Sequence, residues 1–488
     1  MDTRFSSKQA LWFTLINYIG VLIGTVSTLF IYPQDTELLG VFRFVDGFAQ
    51  VLYPVLVLGA STALLNFQPK LNTYLQRKLF TYSLFSVFAM ILFCCVGIYA
   101  IYQIDVLKNK EYFSYGFVIA VCLAYVDVFK RQATNLQKLA VPTFYEKVMP
   151  KLALPFVFLL ILKTGLDTKQ GLTLYAVAFV LVLLGIVMYL FRYFKPVLST
   201  NFTDLFQEIP RKAYYQYSLY AFCASLGSFF AFRIDSLMIP QFISNQANGD
   251  FSIGVNLANA LMIPATGVFA LYSPLISKSL KIDDLSLLQI KYSEVAKNLF
   301  FIGIILYGCV LLGMHDLFEL LPTADKLIPI LPVLYILGGN VVLNMAMGFN
   351  TEIIAYSKHY RFNLTAIILL GVLNIGLNYY ILTQTNYGII GVAWASLFAM
   401  SIFNMAKLWF IYKQFNILPF NRSYLKTVVV SLALLLFFYW LPITMVEGFD
   451  FVIRCGLYVL ILSGLLYRLG WVPEWNKSVD KFRNRFIR

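Results

Sequence analysis

Nothing constrains the fold of this chain more than its apolar runs: many segments of roughly 20 residues carry almost no charge. That is the length an α-helix needs to cross about 30 Å of hydrocarbon. Only 13% of the 488 residues are charged and 60% are hydrophobic, whereas a soluble chain carries about 25% charged residues. Barrel strands would alternate polar and apolar at every second residue over about ten residues. These runs do not alternate. The sequence therefore predicts an all-α integral membrane protein with about 14 transmembrane helices. Their cores fall near 10–31, 41–66, 79–101, 114–135, 148–163, 172–194, 214–240, 251–277, 298–314, 327–350, 362–382, 387–412, 425–442 and 451–470. The weakest is 148–163, interrupted by Pro150 and Pro155.

Loop charges orient these spans. With the N-terminus inside, roughly 30 Lys and Arg fall on the cytoplasmic side, among them Arg4, Lys8, Lys130, Lys138, Arg192, Lys291, Lys297, Lys407 and the tail "DKFRNRFIR". Only Lys108, Lys110, Lys163, Lys169 and Lys326 fall outside. This asymmetry predicts both termini in the cytoplasm. It also accounts for the net charge of +14, because the cations are scattered over short loops instead of forming the stripe that nucleic acid requires. The basic tail reads as a juxtamembrane anchor on anionic lipid. The first helix reads as its own signal anchor, with no cleavable leader expected. The six cysteines lie in apolar runs without metal-ligand spacing, and His315 and His359 read as loop residues far apart, so no metal site is expected.

Function classes narrow by elimination. The longest connections, 195–213 and 278–297, leave no room for an extramembrane catalytic domain. No G-x-x-x-x-G-K-[ST] loop is present, so the chain is not expected to hydrolyse ATP. Transport driven by a substrate or ion gradient remains, with no cofactor beyond a proton or Na+ gradient. A duplication supports this. "FIYPQDTELLGVFRFVDGFAQVLYP" after the first helix and "LMIPQFISNQANGDFSIGVNLANALMIP" after the seventh share a Pro-Gln helix end, glycines at Gly40 and Gly254, and prolines at Pro54 and Pro264. Six intervening spans leave the copies parallel, which predicts two parallel six-helix lobes around a central cavity plus two C-terminal helices. The corresponding domains are 1–195, 210–415, a helix pair at 420–472 and a basic tail at 473–488.

The segments "LLGVF", "VLGASTALLNF", "RIDSLMIP", "FSIGVNLANALMIPATGVFALYSPLISK" and "NYGIIGVAWASLFAMSIFNM" resemble the polysaccharide and oligosaccharidyl-lipid exporters of the MOP (MATE-like) superfamily. The resemblance covers about residues 10 to 412. It implies a flippase of the O-antigen type in a bacterial inner membrane, a non-enzyme that moves undecaprenyl-pyrophosphate-linked oligosaccharide between leaflets. Membrane lipids and polysaccharide assembly proteins are its implied partners. The final helix pair fits the lipid-linked branch better than drug exporters, which typically have twelve spans. A lipid II or other glycolipid flippase, a cation-coupled multidrug exporter and an intramembrane glycan polymerase are the alternatives.

Charges inside the spans mark candidate sites, because an ion in hydrocarbon is costly and should face a bundle interior or a wet cavity. Arg43 and Asp46 are three residues apart and share a helical face. Arg43 and Arg233 are candidate anchors for a pyrophosphate, which arginine grips through forked hydrogen bonds. Asp235 follows Arg233 by two positions, roughly 200° around one helix, so the two cannot pair on one face. Asp127 is a further candidate for cation or proton coupling, although Lys130 and Arg131 one turn on can neutralise it. Gln50, Asn256, Asn259, Asn374 and Asn378 are candidate sugar-binding amides, and the same amides serve equally as glue between helices.

Overall fold

The computed structural model describes residues 20, 22–102, 108–197, 199–441 and 450–486. Arg4, Lys8 and most of the expected first span, 10–31, lie outside the described residues, although 22–30 are helical. Among the described residues the protein is all-helical, with no strands. Among the described residues ten helices are long and apolar enough to cross a membrane, or up to twelve if each of two bent pairs is one span. Those pairs are Arg211–Phe232 with Asp235–Phe242 and Asn245–Ala260 with Ile263–Lys281, each bent by 49°. The expected span 148–163 lies within the Ala140–Thr164 helix, which continues through both Pro150 and Pro155.

The chain divides into two compact units, Met1–Ser252 and Ile253–Arg488. In the first, the Thr36–Val57 helix is central. Asp35 starts it by accepting a hydrogen bond from the Leu38 amide at 2.9 Å, satisfying one of the amides that a helix start leaves orphaned. The helix packs against Thr73–Tyr102, Phe113–Asn135, Arg211–Phe232 and Asp235–Phe242. Its end is a break at Leu58 and Gly59, both left-handed, before Ala60–Phe67 resumes. Near its start it meets the chain at 245–249 with backbone against backbone. A Cβ on Gly40 would lie 1.7 Å from the Asn245 carbonyl oxygen, and one on Gly249 would lie 1.8 Å from that of Thr36. Asn248, fully buried, ties the crossing by donating to the Gly40 carbonyl at 2.9 Å.

In the second unit the 35-residue Leu285–Glu319 helix is the longest element among the described residues. At 1.5 Å per residue it is about 52 Å long, well beyond the hydrocarbon thickness. One apolar cluster gathers Tyr292, Met345, Phe349 and Ile411. A second gathers Phe300, Tyr424, Tyr458 and Leu462, and so joins the Arg422–Trp440 and Asp450–Leu469 helices to the long one. Tyr458 fills a notch at Gly308, where a Cβ would lie 2.3 Å from its ring, and donates to the Ile304 carbonyl at 3.0 Å. The tail forms the Pro473–Phe486 helix, tied down by Trp475 against Phe301 at 5.4 Å and by Asn298 donating to Glu474 at 2.8 Å.

Candidate functional site

Positions 43, 46, 50 and 53 recur every three or four residues along Thr36–Val57, which sets Arg43, Asp46, Gln50 and Tyr53 on one face. Arg43 Nη1 lies 3.6 Å from Asp46 Oδ2, the two side chains being only 25% and 20% exposed. Tyr175, from the Thr168–Phe191 helix, donates to Asp46 at 3.1 Å (Oδ1) and 3.3 Å (Oδ2). Edge contacts with Phe42 and Phe179, at 5.3 and 5.1 Å, hold its ring. The Arg43 guanidinium lies 5.9 Å from the centre of the Tyr32 ring. Its Nε is buried and has no hydrogen-bond partner among the described residues. Asp46 is thus fixed from two sides while Arg43 keeps unused donor capacity.

Arg233 is brought to this face by a close contact one residue beyond Asp46. A Cβ on Gly47 would lie 2.3 Å from Ser236 Oγ, and Ser236 in turn donates to the Arg233 carbonyl at 2.8 Å. Arg233 is exposed and lies within electrostatic reach of Arg43, Asp46 and Tyr53. Its separation from Asp235 needs correcting. The sequence reading assumes one continuous helix, whereas the helix ends at Phe232, Arg233 is its C-cap, and Asp235 opens the next. The break, not a 200° rotation, sends Arg233 outward and Asp235 into a buried position.

Asp127 sits on Phe113–Asn135 and is doubly held. Ser61 donates to Oδ2 at 2.5 Å, and Arg131 Nε lies 3.4 Å from Oδ1. Lys130 pairs instead with Glu146 of the neighbouring helix at 2.6 Å. Tyr53 lies within electrostatic reach of Asp127, Arg131, Glu146 and Arg233. The first unit therefore carries a polar seam whose arginines suit a multiply charged anion and whose carboxylates are each held by a hydroxyl and a guanidinium.

The remaining amides belong to the second unit. On Asn245–Ala260, Asn256 is half-buried and Asn259 exposed. Asn374 and Asn378, on Tyr360–Gln384, are 2% and 0% exposed. Sequence reasoning missed Tyr175, since nothing local singles out one tyrosine among 32. It also misplaced several loop residues, Lys297 among them, which is buried within Leu285–Glu319. Lys407, counted with the loop cations, is buried within Gly388–Phe415, donating to Thr351 at 2.7 Å and lying 3.7 Å from the centre of the Phe403 ring. His315 is not in a loop but near the end of Leu285–Glu319, where its Nδ1 lies 3.5 Å from Glu319 and 3.8 Å from Asp316.

No protein-family model matches the chain, and no curated protein matches it by sequence. Solved structures do. The chain is similar to the lipid II flippase MurJ in an inward closed conformation, with a TM-score of 0.70 and 14% identity over 94% of this chain and 99% of that one. It is also similar to an inward-facing multidrug resistance MATE family transporter of the MOP superfamily, with a TM-score of 0.64 and 13% identity over 81% of this chain and 94% of that one. A MATE in complex with MaL6 superposes with a TM-score of 0.56 at 14% identity, covering 83% of this chain and 96% of that one. At such identities the likeness is one of fold, and the fold is that of these multi-pass MOP transporters and flippases.

Proposed function

We propose that the protein is a flippase for undecaprenyl-pyrophosphate-linked oligosaccharide, working by alternating access in a bacterial inner membrane with both termini in the cytoplasm. The observation that carries this reading is the half-buried Arg43, held by Asp46 yet with a buried Nε that has no partner among the described residues, with Arg233 in electrostatic reach. Two guanidinium groups, one half-buried and one exposed, attract a pyrophosphate and match its oxygens through forked hydrogen bonds. In this reading Gln50, Asn256, Asn259, Asn374 and Asn378 contribute sugar contacts, and Asp127 or Asp235 carries the coupling proton or cation.

The fold shared with a lipid II flippase favours a second reading, in which the cargo is a peptidoglycan precursor. Both cargoes carry the same pyrophosphate between lipid and sugar, so the arginine chemistry serves either. Deleting the gene and identifying which lipid-linked glycan accumulates on the cytoplasmic leaflet separates the two. Substitution tests the site itself. Arg43→Lys keeps the charge but loses the fork and should weaken transport sharply. The double variant Arg43→Met, Asp46→Leu removes the ion pair entirely, which is often neutral for folding, and should insert normally while moving no substrate. Continued glycan export by that double variant would end the anchoring hypothesis.

A further inference from the structure

Away from the polar seam, the Ala140–Thr164 and Thr168–Phe191 helices pack against each other. Between them they leave an outward-facing groove of about 360 Å³. Tyr145, Met149, Leu152 and Phe156 form one wall, spaced so that they share a helical face, and Ala178 and Leu181 form the other. Phe156 and Leu181 are 63% and 61% exposed. From Tyr145 to Phe156 the wall rises about 16 Å at 1.5 Å per residue, close to the ~15 Å depth of a single leaflet.

One end of the groove is basic and aromatic. Below Leu181 the same face of Thr168–Phe191 continues through Gly185, which the Tyr145 ring covers, to Tyr189, whose ring lies 5.3 Å from that of Tyr193 in the turn just past the helix end. The exposed Lys138 places its ammonium 5.0 Å from the centre of the Tyr193 ring, and exposed Arg192 adjoins that tyrosine. Glu146, next to Tyr145, is occupied by Lys130 at 2.6 Å, so its charge does not cancel theirs. Tyrosines and lysines at one end of an apolar slot are what a headgroup region calls for.

We propose that this groove seats one acyl chain of an anionic glycerophospholipid whose headgroup is held at Lys138 and Arg192. A leaflet-deep slot fits one such chain and is far too short for a long polyprenyl tail. The site is separate from the arginine pair and does not depend on the transport reading.

The test uses the full chain in nanodiscs of equimolar phosphatidylglycerol and phosphatidylcholine, extracted into mild detergent, with retained lipid quantified by mass. Each cation near an anionic headgroup is worth about a fivefold preference, so the wild type should retain phosphatidylglycerol over phosphatidylcholine by about 5- to 25-fold. Lys138→Gln with Arg192→Gln, both at exposed positions, should bring that ratio close to one. Ala178→Phe should fill the groove and lower retention of both lipids. Equal retention of the two lipids by the wild type would overturn the proposal, as would a preference that survives the double glutamine variant. Undiminished retention by a folded Ala178→Phe protein would do the same.

Discussion

Gly40→Ala should open the tightest backbone crossing described in the first unit. The added methyl would start 1.7 Å from the Asn245 carbonyl oxygen, where about 3.0 Å is the closest real approach. The strands of helix backbone must therefore part by roughly 1.3 Å, the difference between those two distances. That movement stretches the 2.9 Å bond from Asn248 to the Gly40 carbonyl past any useful length. Overpacking costs about 1–3 kcal/mol, and stranding buried amide groups costs about 1–3 kcal/mol more. Replacing a mid-helix glycine returns about 1 kcal/mol. The net loss is about 3 kcal/mol, which for a unit of this size lowers Tm by about 6–12 °C. Thermal unfolding of the purified protein reads it directly. Gly376→Ala serves as control, since nothing lies within 4 Å of its added methyl. Because Gly40→Ala already breaks the Asn248 bond, adding Asn248→Ala should cost little further. A Gly40→Ala protein melting within about 2 °C of wild type would refute the reasoning.

Tyr175→Phe removes the hydroxyl that donates to Asp46 and should cost about 1 kcal/mol of stability, measured by the same melting assay, together with slower glycan transport in reconstituted vesicles. An unchanged protein on both measures would show that Asp46 is held by Arg43 alone. Asp127→Asn should abolish turnover while insertion and substrate binding persist, and flipping at the normal rate would place ion coupling elsewhere. Asp204, in the short Thr203–Glu208 helix outside the spans, accepts from Lys78 at 2.8 Å, and that bond holds its carboxyl below the ordinary range. A lowered pKa stabilises at neutral pH and ceases to do so as pH falls through the lowered value. Asp204→Asn should therefore speed proteolytic nicking of 199–210 near neutrality, with the difference from wild type vanishing in acid; a difference independent of pH would exclude the carboxylate as its cause.

Much of the helical membrane fold was legible because hydrocarbon imposes a single local rule, a long apolar run, that leaves its mark in every span. Breaks inside spans were not. Hydropathy runs straight through Leu58–Gly59, Arg233–Ile234 and Leu261–Met262, while the backbone turns there. Gly59 after the apolar Val55–Leu58 stretch, and Pro264 at the start of Ile263–Lys281, were the available signals. Helix ends were misjudged for a related reason. The expected loop 278–297 is almost entirely helix, interrupted only at 282–284, because charged residues such as Lys291 and Glu294 pair across one turn at 2.8 Å and continue the helix beyond its apolar stretch. In the site, Arg43 and Asp46 could be paired from sequence because their spacing is local. Ser61 and Tyr175, the hydroxyls holding Asp127 and Asp46, come from distant helices, and no local pattern encodes such meetings.

The notch at Gly308 bears on how chains of this fold change length. Tyr458 is fully buried in it, and Gly313 five residues on receives Cys455, whose sulfur would lie 2.8 Å from a Cβ there. The long helix is carved to accept the last helix, as a lock plate is cut for one bolt. Shortening the chain at Asn416 would not simply return a smaller bundle. It would leave two missing side chains' worth of space along Leu285–Glu319, forfeiting about 3–5 kcal/mol of aromatic packing. A working shorter version would need bulkier residues at positions 308 and 313, so gain or loss of the terminal pair must be inherited together with changes on a helix more than a hundred residues away.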